Sequence, residues 1–102
     1  MMYLSRLLFH TVPGKTGEVE QGLKKLREMV TAAGGSRARI LHTHFASLGA
    51  PDAVFEQEAV DLMALEEQIR KLTSSADFQT WSRGMSALLT QSPKREVYIV
   101  SD

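Results

Sequence analysis

The chain has no cysteine and no asparagine, and its 102 residues include three prolines and one tryptophan. Without cysteine there can be no disulfide, thiolate nucleophile, zinc finger or iron–sulfur ligation. Neither charge is in excess, since twelve Lys+Arg stand against twelve Asp+Glu. That balance supplies no clustered basic field for nucleic acid or an anionic membrane, so neither is expected as a partner. No apolar run approaches the about 20 residues needed to cross a bilayer. The apolar N-terminus is interrupted by Arg6 and His10 and no small-residue cleavage site follows, so it reads as a strand and the protein as cytoplasmic. There is no G-x-G-x-x-G, P-loop, H-E-x-x-H or nucleophile elbow, and no motif calls for a cofactor.

What is present reads as one domain over residues 1–102. Met2 to Val12 is rich in Tyr, Leu, Phe and Val and stops at Pro13-Gly14, a strand followed by a turn. Thr16 is expected to cap a helix whose stripe is Val19, Leu23, Leu26, Val30 and Ala33, closed by Gly34-Gly35. Gly22 inside it costs about 1 kcal/mol against Ala, which predicts a close approach of this helix to the sheet. Ala38 to Ser47 and Ala53 to Val60 read as two strands of a hairpin around Gly49-Ala50-Pro51-Asp52. Asp61 caps a second helix with Leu62, Leu65, Ile69 and Leu72 on one face. Thr73-Ser74-Ser75 interrupts it, and a further helical piece carries Phe78, Trp81, Met85, Leu88 and Leu89 until Pro93. Arg95 to Val100 reads as a final strand buried on both faces or nearly so.

The order β-α-β-β-α-β is the ferredoxin-like α+β pattern, a four-stranded antiparallel sheet with its helices on one face. Such helices leave the other face bare, yet strands one, two and four show no clean polar-out alternation. Strand one sets Leu7 and Phe9 against Leu4, Arg6, Leu8 and His10. A half-apolar second face is expected to bury itself against another copy, which makes the homodimer the natural partner reading.

Particular segments resemble the dimeric α+β barrel superfamily, in its NIPSNAP-like and antibiotic-biosynthesis-monooxygenase-like branches. They are Val12-Pro13-Gly14-Lys15, Val54-Phe55-Glu56-Gln57-Glu58 running into Asp61-Leu62-Met63-Ala64-Leu65-Glu66, Ala76-Asp77-Phe78 ahead of Trp81, and Arg95-Glu96-Val97-Tyr98. The resemblance covers nearly the whole chain and implies two sheets paired face to face into a barrel, with ligands often between sheet and helices. It also implies activities such as cofactor-independent oxygenation, heme degradation, lactone isomerisation or dehydration. Heme degradation fits poorly, because those members use an Asn and a helix-borne His. An RNA-recognition domain shares the element order, but Glu56 and Glu58 would stand where its aromatic strand meets phosphate.

Three histidines, His10, His42 and His44, are the candidate catalytic groups, since imidazole moves protons near neutral pH. His42 and His44 beside Glu56 and Glu58 could also be weighed as a metal site, although an H-x-H pair on a strand more often lines a polar interface; no metal is assigned. Phe9, Phe45, Phe55, Phe78, Trp81 and Met85 could line a pocket for a small organic ligand under the helices, or simply form core. Arg6, a charge in an apolar strand, needs a partner: an ion pair to Glu56, Glu58 or Glu96, or an anionic ligand. Two functions follow. One is a homodimer binding a small organic molecule and acting as a cofactor-independent monooxygenase or isomerase. The other is a non-catalytic dimerisation or ligand-sensing protein.

Overall fold

The computed structural model describes residues 1–101. Its elements are β1 (Met2–Phe9), α1 (Thr16–Ala32), β2 (Ala38–His42), β3 (Ala53–Ala59), α2 (Leu62–Thr73), α3 (Ala76–Ser86) and β4 (Lys94–Val100). The strands form one antiparallel sheet in the order β2-β3-β1-β4, with Leu7 opposite Phe55 and Arg95, and Ile40 opposite Phe55. This is the expected ferredoxin-like α+β arrangement.

Local chemistry sets most of the boundaries. Gly14 takes a φ of 83°, the left-handed conformation that ends the turn after β1. At the other end of α1, Gly34 N–H donates to the Thr31 carbonyl and Gly35 N–H to the Val30 carbonyl. That pair of bonds is a Schellman closure, with Gly34 at φ 83°. Asp61 caps α2 by accepting from the Met63 and Ala64 amides at 3.0 and 3.4 Å. Ser75 accepts from the Phe78 amide at 3.2 Å, so the Thr73-Ser74-Ser75 break both ends α2 and starts α3.

One face of the sheet carries the core. Phe9, Ala38, Ala53 and Phe55 meet Val19, Leu23, Leu26 and Val30 of α1, Leu72 of α2 and Met85 of α3. Each such large apolar side chain contributes roughly 1.5–3 kcal/mol by leaving water.

Five local expectations are corrected. The helical piece expected to run through Leu88 and Leu89 to Pro93 ends at Ser86, and Leu89 forms an antiparallel bridge to Thr11 instead. Lys15, not Thr16, is the residue before α1, and no side chain caps that helix. The Thr16 hydroxyl instead meets that of Thr11 at 3.1 Å, so it is already engaged with the chain leaving β1. Strand β2 ends at His42 rather than Ser47: Thr43 N–H still reaches the Asp52 carbonyl in register and its hydroxyl donates to the Pro51 carbonyl, and the chain bends from His44 onward. Gly22 faces α3 and not the sheet: a Cβ there would lie 2.3 Å from the Met85 sulfur. Finally, β4 is exposed along all seven residues. It is an edge strand paired to β1 alone, and no helix packs broadly across it.

Candidate functional site

Register places two sets of side chains on opposite faces. Ser5, Leu7 and Phe9 share the helix side with Phe55, Ile40 and His42, whereas Arg6, Leu8, Val54, Glu56, Arg39, Leu41, Glu96 and Tyr98 share the open side. Across the open face one polar row crosses all four strands. Glu56, only 2% exposed, accepts from Arg6 Nε at 2.9 Å and is also paired with Arg39. The Arg6 guanidinium lies 5.7 Å from the centre of the Tyr98 ring, and the Tyr98 hydroxyl donates to Glu96. That hydrogen bond, followed by partial desolvation and the charge of Glu96, raises the Tyr98 phenol above its ordinary value, with Arg6 opposing. The ion-pair reading of Arg6 thus finds its partner in Glu56.

Beside this row the open face dips into a depression floored by Leu8 and Val54 and walled by Arg6, His10, Lys94 and Glu96, with Gln91 and the Gly49–Pro51 turn at its rim. His10 is held on both ring nitrogens, Nε2 lying 3.2 Å from the Gly49 carbonyl and Nδ1 2.8 Å from Gln91 Nε2. A carbonyl can only accept, so Nε2 carries the proton and Nδ1 accepts from the Gln91 amide.

The other two histidines go elsewhere. His42 turns to the helix side and pairs with Glu20 of α1. His44 lies beyond β2, its ring edge-on to Phe45 with centroids 4.6 Å apart. The weighed grouping of His42 and His44 with Glu56 and Glu58 is therefore not assembled: His42 and Glu56 occupy opposite faces and His44 has left the sheet. Among the described residues no group of three or more His, Asp or Glu is placed to hold a metal ion.

The aromatic cluster divides as well. Phe9, Phe55 and Met85 are buried in the core. Phe78 and Trp81 pack against it with ring centres 5.4 Å apart. Phe45, by contrast, is 90% exposed on the loop after β2, so its place in a pocket under the helices is corrected. Trp81 and Met85 border two grooves open to solvent, one between α1 and α3 and one above Leu89, Gln91 and Pro93. Sequence reasoning did not single out Arg39, Gln91, Lys94 or Tyr98. Arg39 and Tyr98 carry a signal of sorts, each alternating with apolar neighbours, but which face they share with Arg6 depends on register.

No protein-family model matches the chain, and no curated protein matches it. Solved structures do. A "putative antibiotic biosynthesis monooxygenase" from Nitrosomonas europaea superposes with a TM-score of 0.70 at 17% identity, over 95% of this chain and 88% of that one. A NIPSNAP family protein from Agrobacterium tumefaciens gives 0.73 at 14% identity, over 99% and 87%. A dimeric ferredoxin-like protein of unknown function from Thermobifida fusca gives 0.66 at 14% identity, over 98% and 92%. The fold of this chain is the ferredoxin-like fold of these proteins, the one implied by the resemblance in its sequence.

Proposed function

We propose that the protein is a cytoplasmic homodimer, paired through the open faces of its sheets, that binds a small organic molecule. The observation that carries this is β4. Val97, Tyr98, Ile99 and Val100 are 45%, 45%, 60% and 42% exposed in the single chain. Tyr98 and Val100, opposite Leu4 and Met2, stand on the open face, where a second sheet would cover them, whereas Val97 and Ile99 stand on the helix side of the same edge strand. The open face suits a second copy of itself, since Arg6, Arg39 and Lys94 balance Glu56, Glu58 and Glu96 on it. The solved neighbour described as dimeric supports the same reading. Sedimentation equilibrium tests it: the wild type is expected at twice the chain mass of 11.3 kDa. Val100→Lys and Leu41→Lys, at positions 42% and 37% exposed in the single chain, are expected to dissociate it with the helical signal retained. A monomeric wild type overturns the reading.

Cofactor-independent oxygenation or isomerisation is the chemistry we attach to this dimer, supported by solved neighbours named as antibiotic biosynthesis monooxygenases. His10 is the proton acceptor best placed for it, because it lines a depression and presents Nδ1 once Gln91 moves aside. Oxygen uptake with quinol-like substrates, and turnover of lactones, are expected in the wild type and lost in His10→Ala. Equal rates in the two proteins remove His10 from the mechanism. A dimer that binds ligand and turns over neither class supports the ligand-sensing alternative instead.

A further inference from the structure

We infer that the depression between Leu8 and Lys94 is a binding site for a small organic anion, a carboxylate on an apolar body, closed by the second copy of the chain. The inference rests on the paired-sheet reading for that closure. The depression measures about 630 Å³, within the roughly 300–1,000 Å³ of small-molecule sites. Its floor is apolar, Leu8 lying directly opposite both Val54 and Lys94 in the sheet.

Although the whole open face is balanced, the lining of the depression carries two cations, Arg6 and Lys94, against one carboxylate, Glu96. Glu96 already accepts from the Tyr98 hydroxyl. Lys94 forms no ion pair among the described residues, and Arg6 engages Glu56 through Nε, leaving its two terminal nitrogens without a protein partner among those residues. Glu56 in turn shares its charge with Arg39, so it does not neutralise Arg6 fully. Lys94, the cation without an ion pair, stands beside Leu8 at the edge of the apolar floor, with Arg6 between Glu56 and Glu96 at one end and the polar His10–Gln91 pair at the other. Desolvation by a covering sheet strengthens an anion's attraction to these cations, because screening by water is removed. A neutral molecule of the same shape gains nothing from that charge. A cation is repelled by it.

Benzoate is the probe and benzamide its neutral counterpart, followed by amide chemical shifts in the full chain. Benzoate is expected to shift Leu8, Val54 and Lys94 saturably, and benzamide to bind about ten-fold more weakly, the worth of one charge-assisted contact. Lys94→Ala should lose a similar factor and Lys94→Glu should abolish the shifts. Lys94 is exposed in the single chain, so both variants are expected to fold, as circular dichroism will show. Absence of saturable shifts, equal binding of benzamide, or unchanged affinity in both Lys94 variants overturns the inference. Sedimentation of the same samples separates the two readings. A dimer that ignores benzoate removes this site alone, whereas a monomer that binds it keeps the anion site and removes its closure by a second copy.

Discussion

Trp81 Nε1 donates to the Gly22 carbonyl oxygen at 2.8 Å, tying α3 to α1 at the point where α1 lacks a side chain. The same glycine gives the Met85 side chain its place, since an added Cβ would stand 2.3 Å from the sulfur. The residue that weakens α1 as a helix is thus the one that lets α3 dock on it.

Gly22→Ala sets these two effects against each other. Helix propensity favours Ala by about 1 kcal/mol. Displacing the buried Met85 costs about 1–3 kcal/mol. The variant is expected to be net destabilised, by about 1 kcal/mol in denaturant unfolding at matched protein concentration. In a Met85→Ala background the same substitution should become neutral or stabilising, because the obstructing sulfur is gone. Additive effects of the two changes would refute the close-approach account.

The Arg39–Glu56–Arg6 group gives a second expectation. Arg39→Ala leaves Glu56 with Arg6, and should cost less than about 1 kcal/mol because Arg39 is mostly solvated. Removing both arginines strands a carboxylate only 2% exposed. The double variant should therefore lose about 3 kcal/mol or more, exceeding the sum of the single losses. Urea unfolding of the three variants measures this, and simple additivity would show that the two arginines act independently.

Tyr98 supplies a pH dependence. Its phenol is raised by the bond to Glu96, so folding favours the protonated form. The associated stabilisation is fully present below the unfolded-state value and is lost as pH rises through the folded one, placing it on the alkaline limb. Tyrosinate absorbance in a Tyr3→Phe background should show Tyr98 ionising above the ordinary tyrosine value, and Glu96→Ala should bring it down. An unchanged titration in that variant would show that Glu96 is not the cause.

The parts of this fold legible in the sequence are those decided within a few residues. The Asp61 cap, the Gly34-Gly35 closure and the break at Thr73-Ser74-Ser75 each depend on a side chain or a backbone conformation acting on its own turn, so they appear where the chemistry places them. The caps and close contacts that misled were non-local. Thr16 has the residue type of a cap, but its hydroxyl is taken by Thr11. Gly22 signalled close approach, and only the docking of α3 shows that the approach is to Met85.

The site divides the same way. Composition and alternation mark Arg6 as a charge in need of a partner and the second sheet face as half apolar. Which carboxylate answers Arg6 depends on the register of β1 against β3, and a one-residue slip would carry every one of these side chains to the other face. The same holds for the histidines. Their spacing makes His42 and His44 neighbours, but the end of β2 at His42 parts them, and strand parity sends His42 toward Glu20, away from Glu56. The element order, the starts of α2 and α3 and the surplus of apolar residues beyond one core were thus set by the sequence itself, because they follow from local propensity and count. The exposure of β4, the polar row around Glu56 and the depression beside Leu8 were decided only by tertiary structure, because each requires strands distant in sequence to meet in one register.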